Sequence, residues 1–116
     1  MPHIKFEYSS NIELKDINNH LEDIHITLAE MLPTKLENCK TRIIRHDDYF
    51  IGKGSDDAAF IHLNIKILPG RSEELLNAIS EKILNHLKKA FFYSAKSLKL
   101  GISVSLEDLP KTYRKL

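Results

Sequence analysis

The stretch Ala59-Phe60-Ile61-His62-Leu63-Asn64-Ile65-Lys66-Ile67-Leu68-Pro69-Gly70-Arg71-Ser72-Glu73-Glu74-Leu75-Leu76 takes the chain from a strand into a helix. Between Ala59 and Ile67 the side chains alternate, which puts Ile61, Leu63, Ile65 and Ile67 on one face and Phe60, His62, Asn64 and Lys66 on the other. Pro69-Gly70 breaks the strand. Ser72 then stands where a helix N-cap belongs, with Glu73 and Glu74 at the positive end of the helix dipole. Downstream, Leu75, Leu76, Ile79, Ile83, Leu84, Leu87 and Phe91 form the apolar stripe of that helix, and Leu98 to Ser105 reads as the following strand.

The same order is written once more upstream. His3 to Tyr8 alternates as a strand, and Ser9, Ser10 and Asn11 end it. Leu14, Ile17, Leu21, Ile24, Leu28 and Met31 recur at steps of three and four, so they share one helix face, and Pro33 closes the helix. Heptad-like spacing of this kind also occurs in coiled coils, but the run is short and reads better as a helix laid on a sheet. Thr41 to Arg45 is β-branched and strand-like, and a glycine-bearing hairpin is expected through Gly52 and Gly54.

Strand, helix, strand, twice over, predicts an α+β fold. Two fused β-α-β units form a four-stranded sheet with both helices on one face, because each crossover is right-handed. The expected limits are one domain over 1–116, with units 2–57 and 58–109 and a tail 110–116. The sheet face bearing Phe60, His62, Asn64 and Lys66 is left bare, too apolar for simple exposure, and self-association would cover it.

Composition narrows the partners. The 116 residues carry 17 Lys+Arg against 16 Asp+Glu, a formal charge of +1, so no global field draws the chain to nucleic acid or anionic lipid. No apolar run is long enough to cross a bilayer. A single Cys39 and no charged-then-apolar leader point to a cytoplasmic protein.

The junction Ile67-Leu68-Pro69-Gly70-Arg71-Ser72-Glu73-Glu74 resembles that of the 4-oxalocrotonate tautomerase family, in which a Gly-Arg-Ser turn opens the helix. Met1-Pro2-His3-Ile4 is similar to the start of the same superfamily, whose mature chains begin with proline. With Thr41-Arg42-Ile43 and Ala59-Phe60-Ile61-His62-Leu63, the chain resembles the double-length branch, the 5-carboxymethyl-2-hydroxymuconate isomerases, from Pro2 to about Leu109. The resemblance implies a homotrimer without metal or organic cofactor that interconverts keto and enol forms of unsaturated dicarboxylic acids. It implies catalytic roles for Pro2, Arg71 and Arg42. Lys40 occupies a place where the larger isomerases tend to carry another arginine, a change that weakens bidentate grip on a second carboxylate. The scaffold also admits a second reading, a trimeric binding or structural module without catalysis.

Internal comparison divides these residues between the units. Counting ten back from Arg71 reaches Ile61 as the counterpart of Pro2, and ten forward from Pro2 reaches Ile12 as the counterpart of Arg71. The resulting offset of 59 residues maps Arg42 onto Gly101. One composite site per chain is therefore expected.

The chemistry suits the residue types. Once Met1 is removed, Pro2 presents a secondary amine that can take a proton only when neutral. Free α-amino groups titrate near ~7.7 to 8.0, so burial and a neighbouring cation suffice to make this one a base at neutral pH. Arginine forks onto carboxylates and steadies charge on an enolising carbonyl oxygen. Arg42 could equally serve as an interface ion-pair partner, and Arg71 could merely cover its turn. Phe50 is a candidate wall of the substrate pocket or a plain core residue.

Other signals lead nowhere along the sequence. His20 and His25 lie five apart and no His-Glu-x-x-His run exists, so no metal is expected. Cys39 reads as a packing residue. Gly52-Lys53-Gly54-Ser55 lacks the spacing of a phosphate loop and is followed by Asp56 and Asp57. The basic tail and Lys88-Lys89 read as a solvated face.

Overall fold

The computed structural model describes residues 1–92 and 96–116. Its elements follow the order β1 (His3–Ser9), α1 (Ile17–Met31), a 3₁₀ turn at Leu36–Asn38, β2 (Lys40–His46), β3 (Ala58–Ile67), α2 (Glu73–Ala90) and β4 (Lys99–Asp108). The strands form one four-stranded sheet in the order β2-β1-β3-β4. β1 and β2 run parallel, as do β3 and β4, and the two units join where β1 and β3 pair antiparallel, His3 opposite Lys66 and Phe6 opposite Leu63.

This topology corrects one sequence expectation. The segment after β2 turns tightly, with Gly54 N–H bonded to the Ile51 carbonyl at 2.8 Å, but it is no hairpin. β1 lies between β2 and β3, so the loop crosses the end of β1 to reach a strand two places away.

Period-2 alternation is complete along β3, where every second residue from Ala59 to Ile67 is buried. Those side chains meet Ile4 and Phe6 of β1, Leu21, Ile24 and Leu28 of α1, and Ile79, Ile83 and Leu87 of α2 in one core. Full burial of each such aliphatic or aromatic side chain contributes about 1.5–3 kcal/mol before the entropy of ordering is subtracted. Leu14 packs on the core from the segment before α1 rather than from the helix, and Leu84, 38% exposed, falls outside the α2 stripe. Both are readings of the helical repeat that the actual helix boundaries and rotation change.

The helices begin differently. The Ser72 hydroxyl accepts from Leu75 N–H at 3.1 Å, so α2 starts with the side-chain cap expected of it. Asp16, at the start of α1, has a φ of 54° and makes no side-chain cap.

Backbone contacts also revise the internal alignment. Lys40 N–H bonds to the carbonyl of Pro2 at 3.1 Å, and Lys99 N–H bonds to that of Asp57 at 2.7 Å. The counterpart of Pro2 is therefore Asp57, at the entrance of β3, and not Ile61, which lies in mid-strand. Likewise Arg71, one residue before the cap of α2, corresponds to Lys15 before the cap of α1, not to Ile12. The fixed count fails because the two β-α-β units differ in length.

On the face away from the helices, Phe60, His62, Asn64 and Lys66 are only half-buried. They are joined by cross-strand bonds: His62 to Ser103 at 2.6 Å, Asn64 to Ser105 at 2.8 Å, Lys66 to Glu107 at 3.5 Å, and His46 to Glu7 at 3.1 Å on the other half. Among the described residues no helix is long and apolar enough to cross a membrane.

Candidate active site

Pro2 is buried just before β1, behind Met1, which is itself 8% exposed. Its carbonyl is held by the first N–H of β2, so the N-terminal segment is fixed by the sheet and not left to fray. β3 runs antiparallel to β1, so its end and the start of α2 lie at the same edge of the sheet, and the turn delivers Arg71 there. Arg71 Nε donates to the Leu32 carbonyl at 3.3 Å and Nη1 to the Leu68 carbonyl at 2.9 Å. The first contact satisfies a carbonyl at the end of α1, where the helix dipole favours a cation. Nη2 of Arg71 makes no hydrogen bond among the described residues, so one edge of the guanidinium remains available.

The Met1 amine, one residue ahead of Pro2, sits in a cationic recess. Burial lowers its pKa from the usual 8.0, and the charges of Lys115, Arg71 and Lys40 push the same way, against an opposing contribution from Cys39. Each effect disfavours the ammonium form. Cys39 is buried beside this recess with its thiol pKa raised by burial, and its Sγ lies 3.9 Å from the His25 carbonyl. Packing, as read from the sequence, accounts for it.

Arg42 reaches the N-terminal segment from the other sheet face. Its Nη1 lies 3.0 Å from His3 Nδ1, and His3 Nε2 lies 2.8 Å from the Tyr113 hydroxyl. Arg42 and His3 line a cavity of about 300 Å³ together with Lys5, Asn64, Lys66 and Leu109. Three of those side chains are basic, and although Lys66 is paired with Glu107 at 3.5 Å, the cavity suits an anion. A roomier hollow, about 410 Å³, lies among Asn85, Lys88, Lys89 and Phe92 near the end of α2, remote from Pro2.

Of the sequence candidates, Pro2, Lys40 and Arg71 are gathered at one edge, and Arg42 is bound to the residue next to Pro2. Phe50 is not with them. It is 78% exposed on the loop after β2, its ring covering Gly54, at the opposite end of the sheet. Seven residues of strand at about 3.3 Å each put it some ~23 Å from Pro2 of its own chain. This exposure also excludes the plain core role.

Two residues escaped the sequence reading. Tyr113 and Lys115 belong to the tail taken for a solvated face, yet the tail folds back, placing one on His3 and the other beside the amine. The only local hint was Tyr113 among the lysines, an aromatic with a hydroxyl in an otherwise polar segment.

Two β-α-β units sharing one mixed sheet, with basic side chains collected at the chain start, define the tautomerase-like class of isomerase. A fused 4-OT described as a symmetric trimer shares the fold, with a TM-score of 0.74 at 17% identity over 98% of this chain and 90% of that one. A 5-carboxymethyl-2-hydroxymuconate isomerase from Deinococcus radiodurans R1 shares it more closely, with a TM-score of 0.87 at 24% identity over 98% and 88% of the two chains. In sequence the chain is 30% identical over 113 residues to the 5-carboxymethyl-2-hydroxymuconate Delta-isomerase of Escherichia coli, covering 97% of this chain and 90% of that relative. The family model for 5-carboxymethyl-2-hydroxymuconate isomerase matches residues 2–115, and the chain belongs to that family of isomerases.

Proposed function

We propose that the chain, processed to expose Pro2, isomerises an unsaturated acid with two or more carboxylates, such as 5-carboxymethyl-2-hydroxymuconate, with the Pro2 nitrogen as general base. The observation that carries this reading is that Lys115, Arg71 and Lys40 all bear on the partly buried amine of Met1, one residue ahead of Pro2. Starting from the enol, the neutral nitrogen takes the hydroxyl proton: the O–H bond breaks, an N–H bond forms, and the electron pair moves into a dienolate; starting from a keto form, the bond broken is the C–H next to the carbonyl. Arg71, through Nη2, and Arg42 stabilise the oxyanion and a carboxylate, and the prolinium returns its proton to a different carbon. Lys40 holds the second carboxylate as a point charge rather than a fork. No step calls for a metal or organic cofactor.

Three features favour a homotrimer as the working form. The sheet face with Phe60 is half-buried and unpartnered within the chain, a structural relative is described as a symmetric trimer, and Phe50 can wall a pocket only in another copy. Within each protomer we read one domain, with repeat units over 2–57 and 58–109 and the tail 110–116 closing over His3.

The experiment is ketonisation of an enol diacid by the processed chain, its N-terminus established by intact mass, beside Pro2→Ala. Loss of about 10²-fold or more in kcat/KM with an unchanged KM supports the base; equal rates for the two proteins reject it.

A further inference from the structure

Spacing along the chain gives no metal motif, but the fold adds a ligand that spacing cannot supply. Antiparallel pairing of β1 with β3 makes α1 and α2 antiparallel too, so the first turn of α1 lies against the last turns of α2. His20 and Asp23, three residues apart and therefore neighbours on α1, meet His86 of α2 there. One nitrogen from each imidazole and a carboxylate oxygen of Asp23 lie within 4.8 Å of one another. The rings of His20 and His86 stand edge to face with centroids 5.7 Å apart, and the buried Phe91 packs on His20 at 5.8 Å.

A second observation is independent of this clustering. Nδ1 of His20 and Nε2 of His86 are both buried and form no hydrogen bond among the described residues. Buried ring nitrogens are ordinarily paired, and these two belong to neighbouring rings beside the Asp23 carboxylate.

We propose that His20, Asp23 and His86 form a binding site for one divalent transition-metal ion of the zinc type, clamping α1 to α2. Two imidazoles and one carboxylate are the borderline donors such ions prefer, whereas calcium and magnesium take oxygen ligands. Zinc–ligand bonds of about 2.0–2.2 Å require the three atoms to close to roughly 3.3 Å from one another, a contraction that side-chain rotation supplies. The fourth position stays open to water. Burial lowers the His86 pKa, with His20 and Lys89 pushing the same way against Asp23. Along α2 the site lies 15 residues beyond Arg71, roughly 22 Å at 1.5 Å per residue, so its role is to brace the helices and not to join the isomerase chemistry.

The test uses the full chain, treated with chelator and dialysed, then titrated with zinc chloride alone by calorimetry and with cobalt chloride by visible absorption. One ion per chain, the intense visible bands of low-coordinate cobalt, and a chelator-reversible rise in Tm with zinc support the site. His20→Ala and His86→Ala weaken zinc binding by roughly tenfold or more, since even outer-shell changes cost that much. Asp23→Asn, at an exposed position with no burden on the core, does the same, while His62→Ala on the far sheet face leaves binding unchanged. Binding that survives in the His20→Ala/His86→Ala double variant, or cobalt that keeps its weak six-coordinate spectrum, overturns the proposal.

Discussion

Nδ1 of His3 lies 3.0 Å from Nη1 of Arg42, and because a guanidinium can only donate, the contact fixes which imidazole nitrogen carries the proton. His3 must accept at Nδ1 and donate from Nε2–H to the Tyr113 hydroxyl, 2.8 Å away. Burial, followed by the charge of Arg42, lowers the His3 pKa and keeps the ring in this neutral form. One residue thus joins the arginine, the start of the chain and the folded-back tail.

Tyr113→Phe removes the acceptor of that relay and keeps the ring contact. The expected loss is about 0.5–1.5 kcal/mol in urea unfolding, together with a raised KM as His3, the partner of Arg42, loses its anchor. An unchanged KM would mean that Arg42 is positioned by other means.

Phe50→Ala separates a pocket wall from a structural residue. At 78% exposure its removal should alter stability by less than about 0.5 kcal/mol. If the ring walls the pocket of a neighbouring copy, KM rises, and mixing refolded Phe50→Ala with Pro2→Ala restores part of the activity. Mixed assemblies no more active than the separate variants would place Phe50 outside the site.

Acid should destabilise the protein through His25. Its Nε2 lies 2.6 Å from Thr41 Oγ1, and burial lowers its pKa from 6.5 against the opposing pull of Glu22. The folded state therefore binds this proton less readily than the unfolded chain, so its destabilising effect is absent above 6.5 and grows as pH falls through that value. It levels off below the folded pKa. Urea midpoints measured between about pH 8 and pH 5 should fall for the native chain and fall less for His25→Gln.

Much of this was legible in the residues. Alternation marked Ala59 to Ile67 as a strand buried on one face, and Ser72 announced the start of α2, because both signals are local. The Gly-Arg-Ser turn and Pro2 named the chemistry through family resemblance. Partners of sequence-distant groups were not legible. The placement of β1 between β2 and β3 turned an expected hairpin into a crossing loop, and unequal unit lengths moved the counterpart of Pro2 from Ile61 to Asp57. Tyr113 lies 110 residues from His3, and Lys115 further still from the Met1 amine, so no periodicity could have joined them.

Arg71 and Lys115 should both depress the Pro2 amine in the processed chain, as they do the amine one residue ahead of it. Lys115→Ala, which leaves the guanidinium in place, should shift the acid limb of kcat/KM to higher pH, because the amine then gains its proton more readily. Absence of any shift would remove Lys115 from the recess.

The central claim is read most directly from the Pro2 nitrogen itself, by a ¹⁵N NMR titration of the proline-labelled, Met1-free protein. The account predicts a pKa below 8.0, coincident with the acid limb of kcat/KM, and rising in Lys115→Ala. A nitrogen that titrates at or above 8.0, or whose pKa differs from that of the acid limb, would contradict it.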